Sequence, residues 1–110
     1  MEGKERQISN RLLDYASAIT KLCIKLHKTA VGRHIGNQLV YSGTSVGASC
    51  GKACRAHGRA DFIHRLQLIL KELRESLFWL RVVRKSEIPE GDNVDGIIEE
   101  TRELSNIIGK

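Results

Sequence analysis

Proline is nearly absent from this chain, with one residue in 110, and only five side chains are aromatic: Tyr15, Tyr41, Phe62, Phe78 and Trp79. A β-sandwich or barrel would need proline-punctuated turns between aromatic, β-branched strands, so these two shortages argue against all-β folds and leave helices. Cysteine is sparse as well. Cys23, Cys50 and Cys54 come with no apolar signal-peptide core near the N-terminus, which points to free thiols in a reducing cytoplasm rather than a disulfide framework. Long apolar runs are also missing. The longest uncharged stretch, His34 to Gly51, includes Asn37, Gln38, Ser42, Thr44, Ser45 and Ser49, all of which would need partners inside lipid, so no membrane span is expected.

The most informative shortage is of acids. None lies between Asp14 and Asp61, while Lys21, Lys25, Lys28, Arg33, Lys52, Arg55 and Arg59 all do. The net charge of +5 is therefore lopsided: residues 1–70 carry 11 basic and four acidic side chains, and residues 71–110 carry seven and nine. A field of one sign attracts phosphate-bearing or acidic partners.

What is present fits one globular domain over residues 1–110, with 41% apolar and 28% charged residues. In the first segment, Leu12, Ala16, Ile19, Cys23, Leu26 and Ala30 recur at alternating steps of four and three. That predicts a helix over about 9–30, with Ser9 or Asn10 as its cap and Gly32 as its terminator. A second helix is expected over 33–54. Its Gly43, Gly47 and Gly51 share one face, which predicts close approach of a neighbouring backbone. The third, over 60–86, has the seam Leu66, Leu70, Leu73, Leu77 and Leu80. It also has Leu68, Trp79 and Val82 on the far side, and a helix apolar on two faces is expected to be buried on both. Leu13 and Ile24 likewise fall outside the first seam, so these five residues are candidates for an oligomer interface. A fourth helix is expected over 92–108, after Pro89 and Gly91. The fold class is all-α, an antiparallel up-down-up-down four-helix bundle.

Chemistry is thinly represented. Cys50, Cys54 and His57 could form part of a zinc site, but they read more simply as small helix residues beside a histidine, and no metal or cofactor is expected. No nucleophile stands at a recognisable spacing from a base, so no catalytic residue is assigned and no enzyme is expected. The cations are the better candidates. Lys21, Lys25 and Lys28 form a stripe opposite the first seam, and Lys71, Arg74, Arg81 and Lys85 recur along the third helix. Lys21, Lys25, Lys28, Arg33, Lys52, Arg55, Arg59, Arg74 and Arg81 are the expected nucleic-acid contacts, made to phosphates and without base specificity.

The blocks Tyr41-Ser42-Gly43-Thr44-Ser45-Val46-Gly47-Ala48, Ala60-Asp61-Phe62-Ile63-His64-Arg65-Leu66, Leu70-Lys71-Glu72-Leu73-Arg74-Glu75-Ser76 and Trp79-Leu80-Arg81 resemble a bacterial four-helix-bundle family. It is named after proteins encoded in intervening sequences of large-subunit ribosomal RNA genes. The resemblance implies an antiparallel bundle assembled as a homopentamer with a central channel. It also implies kinship with the accessory variability determinant of diversity-generating retroelements, a basic pentamer that binds a reverse transcriptase and nucleic acid. The chain departs from the family pattern at Ser49, where Asn is common, and across Gly51-Lys52-Ala53, where an acid is common; Lys52 adds positive charge there. The expected function is thus a non-enzymatic, cytoplasmic, oligomeric bundle that binds nucleic acid, RNA or DNA, as an accessory subunit of a reverse transcriptase. The alternative is a purely structural homo-oligomeric scaffold.

Overall fold

The computed structural model describes residues 2–89 and 91–109, with the side chains of residues 2, 4–6 and 52–54 outside the description. It contains four helices, α1 (Glu2–Leu26), α2 (Ala30–Cys54), α3 (Arg59–Ser86) and α4 (Asp95–Ile108), and no strand among the described residues. The molecule measures 44 × 23 × 19 Å. α1 packs on α2, α2 on α3, α3 on α4, and α4 more lightly on α1, whereas the backbones of the diagonal pairs stay apart among the described residues. The four helices thus surround one core, in which Ile19, Leu39, Leu73, Leu80 and Leu104 are fully buried.

Both ends of α1 differ from the expectation. The helix starts at Glu2 rather than near Ser9, because the charged residues ahead of Ser9 are good helix formers and contain no proline. It ends at Leu26 rather than Ala30, where His27 folds back: its Nδ1 donates to the Cys23 carbonyl at 2.6 Å and its Nε2 meets Asn37 Oδ1 at 2.9 Å. Thr29 then starts α2, its Oγ1 accepting from the Gly32 N–H at 3.0 Å as an N-cap does. Gly32 is therefore inside the first turn of α2 and terminates nothing. A Cβ on Gly32 would overlap the Leu26 carbonyl oxygen, so glycine is what lets α1 and α2 meet through a three-residue turn.

The shared glycine face also needs correction. Gly43 is a close approach, since a Cβ there would lie 2.8 Å from Cγ2 of the buried Ile19. At Gly47, however, nothing lies within 4 Å, and at Gly51 only the Arg55 guanidinium is near, at 3.8 Å. Those two glycines border a cleft of about 350 Å³ between α1 and α2, open along Leu13, Thr44 and Ala48.

α3 begins one residue earlier than expected, at Arg59. The Asp61 carboxylate accepts the His57 backbone N–H at 3.0 Å and is paired with Arg65 at 3.2 Å. The first of these contacts dominates in holding its pKa below the ordinary aspartate value, with Arg65 adding to it and desolvation opposing. Glu87, with φ 56°, closes the far end. α4 starts at Asp95 rather than Asp92, because Asn93 Oδ1 accepts the Asp95 N–H at 2.9 Å in a local turn.

Two features tie the helices into register. The first is a buried hydroxyl chain with one member per helix. Ser42 and Ser76 stand 2.8 Å apart, Tyr15 and Thr101 2.8 Å apart, and Ser76 also bonds the Tyr15 hydroxyl. With Thr101 donating to the Ile97 carbonyl at 2.7 Å, Tyr15 donates to Thr101 and accepts from Ser76, while the Ser42 hydroxyl lies within reach of both Ser76 and, at 3.2 Å, the Leu39 carbonyl. Every buried hydroxyl among the described residues is thereby satisfied. The second is the reversed order of contacts: Arg11 grips Glu100 through two bonds, at 2.7 and 3.1 Å, while Lys25 meets Asp92 at 3.0 Å.

α4 has 14 residues against 28 in α3, and Gly109 just beyond it lies beside Leu70. The α3 seam continues past that point without a fourth helix. Phe62, in line with Leu66 and Leu73 at heptad-related spacing, is consequently 43% exposed.

Candidate nucleic-acid interface

The nine expected contacts do not converge on one patch. Lys21 is exposed on α1 and Lys28 in the turn that follows it, but Lys25, between them, is drawn onto Asp92. The expected α1 stripe is therefore interrupted, by an acid 67 residues away in sequence. Arg33 leans on the end of α1, its Nη1 donating to the His27 carbonyl at 3.4 Å. Arg55 and Arg59 are exposed at the α2–α3 turn, separated from Arg33 by almost the full length of α2, roughly 35 Å. The Lys52 side chain lies outside the described residues, as does that of Cys54.

α3 presents the continuous surface. Lys71, Arg74, Arg81 and Lys85 are all exposed, and none of them forms an ion pair among the described residues, unlike Arg11, Lys25, Arg65 and Arg84. At about 100° per residue from Leu73, these four cations and Phe78 fall at about 80° to 160°, whereas Val82, Leu68 and Trp79 fall at about 180° to 240°. The outward face of α3 is thus divided lengthwise into a cationic strip and a mainly apolar shoulder that also carries the exposed Glu75, at about 200°. Phe78 was not among the expected contacts, although its place between Arg74 and Arg81 is readable from spacing alone.

The expected interface residues also divide. Leu13 and Ile24 are each 66% exposed and Leu68 is 40% exposed. Trp79 and Val82 are half-buried against the subunit's own core, and Trp79 meets the His34 ring edge-on at 6.0 Å. The two-faced burial expected of α3 thus holds only in part within the single chain, because the shoulder bearing Trp79 turns towards α2.

Burial pushes the Cys23 thiol up to about 11, which keeps it protonated and unreactive near neutrality. No cluster of three or more metal-ligating side chains occurs among the described residues. Glu72 accepts a hydrogen bond from the Ser45 hydroxyl at 3.1 Å, a link between α2 and α3. No described helix is long and apolar enough to cross a membrane.

With this geometry in place, comparison with known proteins gives a family. The model of the 23S rRNA-intervening sequence proteins matches residues 4–110. The chain belongs to that family. A solved structure agrees with the fold of this intervening-sequence protein: the crystal structure of a protein of unknown function from the S23 ribosomal protein family of Bacteroides thetaiotaomicron. The two chains are 30% identical and superpose with a TM-score of 0.82, over 92% of this chain and 94% of the other. No curated protein sequence matches this intervening-sequence protein.

Proposed function

We propose that this protein is a non-enzymatic, cytoplasmic RNA-binding oligomer, an antiparallel up-down-up-down bundle that assembles as a homopentamer and holds RNA by its phosphates. The observation that carries the reading is the row of exposed, unpaired cations Lys71, Arg74, Arg81 and Lys85, about 21 Å long on one side of α3. Phosphate contacts need positive side chains at a suitable pitch and carry no sequence information. RNA is preferred to DNA on the name of the family. The reversed order of the contacts between α1 and α4 supports the antiparallel topology. A ring is supported by two unlike apolar patches, Leu13 with Ile24 on α1 and Leu68 on α3, since contact between unlike surfaces repeats around an axis. The resemblance to the accessory variability determinant of retroelements extends the proposal to an accessory subunit of a reverse transcriptase.

The test is the salt dependence of RNA binding. Changing Lys71, Arg74, Arg81 and Lys85 together to glutamine is expected to weaken binding and to flatten the log–log salt slope by up to about 3, at roughly 0.7 to 0.9 for each phosphate no longer neutralised. Fold and subunit count should stay unchanged. A wild-type protein that retains neither structured nor single-stranded RNA at about 50 mM salt would overturn the reading.

The 66% exposure of Leu13 and Ile24 favours a second reading, a purely structural scaffold in which the charge is incidental. Changing both to glutamate is expected to dissociate the oligomer while the monomer keeps its helicity, as sedimentation and circular dichroism would show. A variant that keeps the wild-type subunit count would remove this patch from the interface. These two residues test assembly more cleanly than Trp79, whose truncation would also open the subunit's own core.

A further inference from the structure

The α3 ridge has a feature that phosphate binding alone does not use. Phe78 is 59% exposed, with Arg74 four residues before it and Arg81 three residues after it. Side chains at these separations are neighbours on a helix surface, so the ring lies within a row of guanidinium groups. Lys71 and Lys85 extend the row by one more turn on each side. Glu75 borders the ring on the opposite shoulder, the side facing α2.

Two properties of this surface narrow its partner. An apolar protein partner covering Phe78 would strip water from unpaired cations on both sides, whereas the buried centres of protein interfaces are depleted in charge. A polyanion gains from those cations instead. A duplex keeps its base faces inside the stack and can use only the charges. An unpaired strand offers both complements, phosphates for the cations and a free base face for the ring. Arginine beside an aromatic adds cation–π contact with the same stack.

We propose that the α3 ridge binds unpaired RNA, with one base stacked on Phe78 and the adjoining phosphates held by Arg74 and Arg81. The proposal rests on the RNA-binding reading above and adds the strand state and the residue that senses it. The molecule carries its own reporter. Trp79 is the single tryptophan, and its indole lies edge-on to Phe78 at a ring separation of 5.1 Å, so a base seated on Phe78 comes close enough to quench it.

The experiment titrates the intact oligomer with a short unstructured RNA, with the same RNA annealed to its complement, and with the single-stranded DNA of the same sequence. Wild type is expected to prefer the single-stranded RNA, which quenches Trp79 while the duplex does not. Phe78→Leu keeps the apolar bulk and removes the ring. It is expected to weaken single-strand binding by roughly 5- to 100-fold and to leave duplex binding and subunit count unchanged, while Phe78→Tyr restores binding. If single strand and duplex bind alike and Phe78→Leu alters neither, the stacking site is wrong and the phosphate-binding reading survives. Absence of binding to any of the three overturns both. Loss of the oligomer in Phe78→Leu makes the ring a subunit contact and overturns the site, and preference for the DNA strand overturns the RNA assignment.

Discussion

Gly32→Val is expected to destabilise the chain by about 3 kcal/mol or more, at or beyond the top of the usual range for overpacking. The reason is the identity of the obstructing atom. A Cβ at this position meets the Leu26 carbonyl oxygen and, at 2.8 Å, Thr29 Oγ1. A main-chain carbonyl at the end of α1 cannot rotate aside as a side chain can. Relief would require α2 to draw away from α1 at the turn, which would loosen His27 from Asn37 and Thr29 from its cap. Gly47→Ala is the control. Nothing occupies the space there, so replacing a helical glycine is expected to be neutral or to stabilise by up to about 1 kcal/mol. Urea denaturation of the two variants beside wild type is the measurement. Equal midpoints for Gly32→Val and wild type would show that the short turn does not depend on glycine.

The second large effect belongs to Tyr15. Tyr15→Ala should cost about 3 to 5 kcal/mol, as expected for deleting a buried aromatic ring. Tyr15→Phe keeps the ring and isolates the hydroxyl, at about 1 to 3 kcal/mol, because Ser76 loses its acceptor and the link to Thr101 is broken inside the core. Burial raises the tyrosine pKa, with the Thr101 and Ser76 hydrogen bonds pulling the other way. A raised value in the folded state means a contribution present in full below the ordinary tyrosine pKa and lost as the pH rises towards the folded value, above about pH 10. Tyr15→Phe should therefore be less stable than wild type at neutral pH and lose less stability on alkaline titration. Parallel alkaline losses in the two proteins would place the titrating group elsewhere.

The seam of α3 was legible only in part: of the leucines that recur at a four-three rhythm, Leu73 and Leu80 are buried, while Leu66, Leu70 and Leu77 are half-buried and Ile69, Ser76 and Val83 fill the remaining buried positions. The turn between α1 and α2 was not legible. Glycine after a run of helical residues reads as a terminator, and only the position of Thr29, whose hydroxyl caps the next helix, reveals that Gly32 already belongs to α2. The charged surface was legible as composition and illegible as geometry. Lys25 looks like its neighbours Lys21 and Lys28 until Asp92 arrives from the far end of the chain. Phe78 shows the converse, since its spacing from Arg74 and Arg81 was visible throughout, but its exposure depends on which shoulder of α3 turns towards α2.

The shortness of α4 divides the molecule into ends of unequal thermodynamic character. Around Ser76 and Leu80, α3 is enclosed by the full ring of helices, and breaking its backbone hydrogen bonds requires disrupting the core. Around Phe62 and Ile63, both more than 40% exposed, the same helix has lost its α4 neighbour and little apolar burial opposes local unwinding. Opening free energies within a native protein follow such differences in enclosure. Amide hydrogen exchange is accordingly expected to be faster in the first turns of α3, beside Arg55 and Arg59, than along the stretch of α3 that carries Phe78.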